Sequence, residues 1–549
     1  MNANAAAVYP GSSDDPLAVT LAYHERSKHR LDRYAAGPGA LDWEAQPDPF
    51  RCWNWTQHIN LPRQPAELPV PWAELNAERP AAPLTLENLG TLLRLALAIT
   101  AWKSYAGDKW ALRAHPSSGN LHPTEAYVIA HWVEGLADGL YHYQARHHCL
   151  EWRAGEGDLS EQPGLWLGLS SIHWREAWKY GERAYRYCQH DAGHALATVR
   201  YAAAALGWRV RLLSEWSDAD IATVLGLERE QDFGDAEREH ADALLLVTKR
   251  LPSDGMTRPA SFVDAARAGL WQGQANALSA YHGNDWPVID EVAAACAKPA
   301  TSMPDWVAPP LPVPLASACP LSAAEIIQQR RSAQSLDGAT SMSLDAFCRM
   351  LDLTLPRNGV APWDAVGWQP RVHLLLFVHR VDGLTPGLYL FLRHPDIEVA
   401  LRAELSSAFE WARPQGCPAH FRLFRLVAGD ARKAAGTLSC HQEIAADGAF
   451  SLGMLAEYES SLAEAPWVYR QLFWEAGMLG QVLYLEAEAA GLRGTGIGCY
   501  FDDAVHELIG LQGRRVQSLY HFTVGGALTD VRLQTLPAYA HLQRPTGLR

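Results

Sequence analysis

The sequence predicts an α+β fold, a mainly antiparallel sheet flanked by helices, built twice in one chain and folded into a pseudo-dimer. Three observations carry this. The stretch "AYRYCQHDAGHALATVRYAAAALGWRVRLLSEWSDADIATVLGL" (184–227) aligns without gaps on "VYRQLFWEAGMLGQVLYLEAEAAGLRGTGIGCYFDDAVHELIGL" (468–511). Tyr185 and Arg186 fall on Tyr469 and Arg470, Ala192 and Gly193 on Ala476 and Gly477, Gly207 on Gly491, Asp218 on Asp502 and Gly226 on Gly510, every pair 284 positions apart. Upstream, "GLADGLYHY" from 135 matches "GLTPGLYLF" from 383, 248 positions apart, so the second half carries about 36 more residues between its two blocks, as repeats with loop insertions do. Between the halves, "AKPATSMPDWVAPPLPVPLASACP" is a proline-rich extended spacer.

The elements follow in order. Residues 1–84 form a lead-in, 85–296 a first domain, 297–320 the spacer and 321–549 a second domain. Each domain begins with a helix of apolar spacing ("LENLGTLLRLALAI"; "LDAFCRMLDLTL") and continues into a strand ("EAYVIAHWV"; "RVHLLLFVHRV") followed by the Gly-Leu-Tyr turn or hairpin. A long helix comes next, then "SDADIATVLGL" or "FDDAVHELIGL", whose acidic residues at the helix start favour the macrodipole. Each domain closes on a strand, "ADALLLVTK" or "SLYHFTVGG".

A chain of 549 residues, 48% hydrophobic and 20% charged, with 21 Trp and 19 Tyr, is globular and too long for one core. A formal net charge of −14 argues against a nucleic-acid surface, and "RSKHR" reads as a solvated face. Nine cysteines without a C-x-x-C pair fit reduced thiols in a cytosol. No metal site is expected: adjacent residues in "HHC" (147–149) point to opposite faces of an extended segment. The start "MNANAAAVYPGSSDD" lacks a basic n-region and an apolar h-region, and no apolar stretch is long enough to cross a bilayer, so the expectation is a cytoplasmic protein without membrane contact.

Four motifs could carry chemistry. In "AAGLRGTGIGCYF" the glycines at 494, 496 and 498 follow a helix rather than a strand, which fails the dinucleotide-binding pattern but leaves backbone stripped of side chains, able to approach a flat ligand. "RRSAQS" offers Arg330, Arg331 and Ser332 as forked donors and a hydroxyl for a phosphate, or a solvated helix end. "HPSSGNLHPTEAYVI" is a rigid, hydroxyl-rich corner before a strand. "WKYGERAYRY" sets Lys179 and Tyr180 among basic neighbours; a basic helix surface is the bland alternative. His194 reads as a satisfied core or flavin-proximal histidine rather than a ligand or base, and Asp191 as pairing or capping locally.

Taken together, these motifs and "DAGHALATVRYAAAALG" and "GLYHY" resemble the nitroreductase superfamily, most closely its SagB/ThcOx-type branch of FMN-dependent dehydrogenases, over about 85–250 and 320–530. The resemblance implies FMN at a two-fold interface. Arg330, Arg331 and Ser332 would take the phosphate and ribityl chain, Gly494, Thr495, Gly496, Ile497 and Gly498 would approach the ring, and Pro116, Ser117, Ser118, Gly119 and Asn120 would reach over from the opposite domain. Lys179 and Tyr180 would accept a proton as hydride passes to the flavin. Gln334 stands where the pattern has a further arginine.

The offsets place Asp364, Ala365, Val366 and Gly367 opposite the Pro116–Gly119 corner, and Val210, Arg211, Leu212, Leu213 and Ser214 opposite the glycine run. Ala463 and Glu464 stand opposite Lys179 and Tyr180. Each half lacks what the other keeps, so one flavin site and one relic are expected. The expected function is an FMN-dependent oxidoreductase acting on a small molecule or a modified peptide, a peptide heterocycle among them. The alternatives are an NAD(P)H-dependent nitro, quinone or enone reductase, and a non-catalytic scaffold, flavin-binding or flavin-free, of a biosynthetic complex. Further homodimerisation is left open.

Overall fold

The computed structural model describes residues 15–63, 68–155, 164–251, 260–302 and 305–542; most of the N-terminal stretch, up to Ser13 and Asp14, lies outside them. Two antiparallel sheets dominate. The first runs in the order Cys149–Gly155, Gly139–Gln144, Thr124–His131, Gly164–Ser171, His240–Thr248, Arg209–Leu212, with the short strand His58–Asn60 added beside Cys149–Gly155. The second runs Arg422–Ala428, Gly387–Leu392, Val372–Val378, Phe450–Glu457, Val516–Gly525, Arg493–Ile497. The two orders are the same strand for strand. The Gly-Leu-Tyr segments are strands rather than turns, because each lies antiparallel to the buried strand before it.

The two long helices, Ala184–Ala205 and Val468–Ala489, are buried along almost their whole length and pack on each other. They cross where Gly193 meets Gly477: a Cβ on Gly477 would lie 3.1 Å from Gly193 Cα and 3.0 Å from His194 N. The repeated Arg and Asp residues then pair reciprocally across the seam. Arg186 Nη1 donates to Asp502 Oδ1 at 2.7 Å, and Arg470 Nη1 and Nη2 donate to Asp218 at 2.9 and 3.0 Å. This is the self-complementary pattern of a two-fold interface, made within one chain.

Helices end where glycine permits a left-handed residue, as at Gly226 and Gly510 with φ of 72° and 73°. A third, small sheet ties the halves together: Gln534–Pro537, near the C-terminus, pairs with Ile99–Tyr105, which also pairs with Asp108–Arg113. The spacer residues that are described carry no helix or strand. "HHC" is a turn entering a strand, not a surface strand; His148 has φ of 53°, is buried, and bonds Tyr143 through Nδ1 at 2.8 Å. No helix among the described residues is long and apolar enough to cross a membrane.

Candidate active site

A cavity of about 590 Å³ opens at the seam, and its wall gathers motifs from both halves: Pro116 to Asn120 from the first, Arg330 to Ser332 and Thr495 to Gly498 from the second. Gly494 stands just behind it, bridged to Ser332. Tyr180 lines it; Lys179 stands outside the wall, near Gly119.

The Pro116–Asn120 corner is held from below. Ser118 donates to Asp191 from its backbone N–H (3.1 and 3.2 Å) and from its hydroxyl (3.0 Å), while Ser117 Oγ accepts from His122 N at 2.8 Å. Gly119 has φ of 57°, and a Cβ there would lie 2.6 Å from the Tyr180 hydroxyl, so only glycine fits. Asp191 therefore braces the corner instead of capping its own helix. Its burial pushes the carboxyl up to about 7, against the hydrogen bonds from Ser117 and Ser118. Burial and the neighbouring Glu176 push the Tyr180 phenol well above its usual range, which keeps its proton in place at neutral pH.

The glycine run is an edge strand, and its glycines make room for aromatic rings rather than leaving bare backbone. Cβ atoms at Gly494, Gly496 and Gly498 would strike Phe522, Tyr520 and Tyr187 respectively. Tyr484 ties this strand to the Arg-Arg-Ser segment: its hydroxyl bonds Ser332 Oγ and accepts from Gly496 N, both at 2.8 Å.

Arg330 is committed to structure. Its Nε and Nη2 donate to the carbonyls of Ala114 and Arg113 at 3.1 and 2.9 Å, tethering the second half to the first. Arg331, Arg493 and Lys103 instead cluster at one end of the cavity. Burial, then Arg330 and Arg493, bring Arg331 down to about 9, and burial, Arg331 and Arg493 lower Lys103. Among the described residues neither the Arg331 guanidinium nor Lys103 has a carboxylate partner, whereas Arg493 pairs with Glu488. Arg183 and Arg186, the basic neighbours of Lys179 in the sequence, are both paired with Asp502.

Sequence reasoning missed Asp191, Lys103, Arg493, Tyr187 and Tyr484 as cavity residues. Arg493 directly precedes the glycine run and could have been flagged; Lys103 carries no local signal.

A second cavity, of about 860 Å³, lies where the repeat puts the relic, lined by Arg209, Arg211, Asp364 to Gly367 and Glu475. It is the larger of the two but lacks the motif residues, and its two carboxylates Asp364 and Glu475 are met internally. Asp364 is clamped by Arg200 at 2.7 and 2.8 Å; Glu475, which aligns with Asp191, accepts from the backbone of Arg371 and Val372 and pairs with Arg393. The spacer crosses it, with Trp306 N donating to Gly367 O at 2.7 Å and Asp305 3.2 Å from Arg211.

The nitroreductase family model matches residues 80–234. MJ1384 of Methanocaldococcus jannaschii, named as a nitroreductase, is 26% identical over 160 residues, 27% of this chain and 77% of its own length. The trifolitoxin-processing protein TfxB of Rhizobium leguminosarum bv. trifolii is 32% identical over 142 residues, 23% of this chain and 38% of its own length. The crystal structure of a nitroreductase-named protein from Anabaena variabilis superposes with a TM-score of 0.68 at 22% identity, covering 93% of this chain and 99% of that one. The fold of both halves together is therefore one already seen in a solved structure.

Proposed function

We propose, from the match of residues 80–234 to the nitroreductase family model, a family of FMN-binding oxidoreductases, that the seam cavity holds one FMN and that the chain is a SagB-type dehydrogenase. The observation that carries the reading is the group of cations in a cavity walled by both halves, two of which, Arg331 and Lys103, have no carboxylate partner among the described residues. A phosphate fits Arg331, Arg493, Lys103 and Ser332; a planar ring fits the space between the Pro116–Asn120 corner and the Gly494–Gly498 strand. Bound there, FMN would supply a two-electron acceptor for hydride.

The chain's own residues supply proton handling and position. Asp191 holds Ser118 and, with its carboxyl near 7, can take up or release a proton close to neutral pH. Tyr180, in the cavity wall with its phenol protonated, and Lys179, flanking Gly119, are the side chains placed to exchange protons with a substrate. Tyr187 and Tyr520 help exclude water from the cavity's inner wall. The toxin-processing role in TfxB's name favours a substrate under biosynthetic modification, and a heterocycle in a modified peptide is the class that the SagB resemblance implies.

Flavin absorbance per polypeptide tests the reading. About one flavin per chain is expected; about two would overturn the single-site assignment, and none would favour the scaffold. Rapid bleaching by NADPH with turnover of a quinone would overturn the dehydrogenase in favour of a reductase.

A further inference from the structure

The second half carries much of its extra length in residues 393–421, which link the strands Gly387–Leu392 and Arg422–Ala428. The first half joins the matching strands, Gly139–Gln144 and Cys149–Gly155, through 145–148 alone. The end of this insertion runs along one face of the helix Leu344–Asp352, where Leu344, Cys348 and Asp352 stand four residues apart and so share that face. Gly416 packs on the first of these: its φ is 80°, and a Cβ there would lie 2.8 Å from Leu344 Cδ2. Cys417 meets the second, its Sγ 3.7 Å from Cys348 Sγ. His420 reaches the third, with Nε2 2.8 Å from Asp352 Oδ1.

This register is held on either side of Cys417. Ala412 exchanges two backbone hydrogen bonds with Arg425, at 3.0 and 2.7 Å, and the Phe421 ring packs on Phe391 with centroids 5.2 Å apart. Asp352 is fixed in turn by Arg357 and by the backbone N–H of Leu315, at 2.5 and 2.9 Å. Both cysteines are free; Cys348 is buried, whereas Cys417 is half-buried and follows the exposed Gly416. A disulfide would need the sulfurs to approach by about 1.7 Å, which a side-chain rotation and a small shift of the loop supply without moving the helix. Exposure sets an order of attack: a small oxidant reaches Cys417 first, and Cys348 is the sulfur waiting behind it.

We propose that Cys417 and Cys348 form a peroxide-responsive modification site, Cys417 reacting with hydrogen peroxide and Cys348 closing a disulfide that staples the 393–421 insertion to the helix Leu344–Asp352. The Cys417 thiolate bonds to one peroxide oxygen; the O–O bond breaks, and the departing hydroxide takes up the proton that Cys417 released, leaving as water. Cys417 is then a sulfenic acid. Cys348 Sγ attacks Cys417 Sγ, the S–OH bond breaks, and the hydroxide leaves with the Cys348 proton as a second water. The pair loses two electrons and gains one S–S bond, while the peroxide gains two electrons and becomes two waters. The stapled helix also carries Arg349, paired with Glu486 of the long seam helix at 2.9 Å, so the bond would tie the insertion to the seam's own scaffold. Neither cysteine lines the seam cavity, and no cofactor takes part, so the site stands apart from the flavin reading.

The test treats the full-length protein with hydrogen peroxide, blocks remaining thiols with N-ethylmaleimide and maps the peptides by mass spectrometry. A linked Cys348–Cys417 peptide is expected in the folded wild type, lost again on reduction with dithiothreitol. Its formation should be at least about tenfold faster than in the urea-unfolded chain, because the fold holds the two sulfurs together. In Cys417→Ser, Cys348 should stay a thiol under the same peroxide; in Cys348→Ser, Cys417 should persist as a sulfenic acid that dimedone captures. The wild-type comparison needs no substitution, so it decides the matter even where a variant fails to fold. Absence of the linked peptide from the folded protein, or its formation no faster than in urea, overturns the proposal, and oxidation of Cys348 in Cys417→Ser overturns the order of attack. All of these readouts are masses, so failure of the flavin assignment leaves them unchanged.

Discussion

Replacing Gly477 by alanine should loosen the seam. A Cβ there would lie 3.0 Å from His194 N and 3.1 Å from Gly193 Cα, and closer still to the His190 carbonyl; one on Gly193 would lie 2.7 Å from Trp474 Cα. All of these are backbone atoms, so no side chain can swing away and the helices must separate by roughly an ångström to restore ordinary contact. Overpacking of this kind costs about 1–3 kcal/mol. Alanine's better helix propensity returns up to about 1 kcal/mol. The clash wins, because the whole of a buried helix pair moves: a net loss of about 1–2 kcal/mol is expected, read as a lower urea midpoint. Gly436→Ala is the control. Its Cβ would meet nothing nearer than Gln442 O at 3.6 Å, so only the propensity gain of up to about 1 kcal/mol should remain. The double variant Gly193→Ala/Gly477→Ala should cost less than the sum of the two singles, since one separation accommodates both methyls. A Gly477→Ala protein as stable as Gly436→Ala would refute the close crossing.

Arg331→Ala should weaken FMN binding by about 10- to 100-fold, the loss of charge-assisted contacts worth about 1.5–3 kcal/mol, in a fluorescence titration; unchanged affinity would move the phosphate elsewhere. Asp191→Asn should remove a pH-dependent destabilisation. With the folded carboxyl raised to about 7, the native state holds its proton more tightly than the unfolded chain, so wild-type stability falls relative to the variant as pH rises from about 4 to 7 and is level above that; parallel urea curves would contradict this. His142, fully buried, is charged despite that burial because hydrogen bonds to Glu125 and Glu151 outweigh it and take the imidazole to about 9. Its contribution is therefore complete below pH 6.5 and lost as pH rises through 9, so His142→Gln should flatten the alkaline limb of the stability profile.

The fold was legible because the repeat is written in residues that answer one another. Arg186 and Asp502, Arg470 and Asp218, and Gly193 and Gly477 recur in both halves since each is the other's partner across the seam. The small sheet was not legible: "QTLP" is too short to signal a strand, and its partner Ile99–Tyr105 lies more than 400 residues away. In the site, the residue types were readable and their uses were not. Arg330 reads as a phosphate donor until the carbonyls of Arg113 and Ala114 occupy it. The alternating glycines read as bare backbone until three aromatic rings from other elements fill the space beside them. Asp191 is ordinary in its helix and acquires its role from Ser118, 73 residues earlier.

The asymmetry between the two cavities follows from where their carboxylates are spent. In the larger one, Asp364 and Glu475 are each met by arginine and by backbone N–H or a second cation, and spacer residues Asp305 and Trp306 reach its lining. In the smaller one the balance is reversed: Asp191 is matched only by serine donors, and Arg331 and Lys103 face the space without a carboxylate. Buried groups left in that condition are costly unless a ligand completes them. Volume alone favours the larger cavity. The motif residues favour the smaller, to whose wall both halves contribute them.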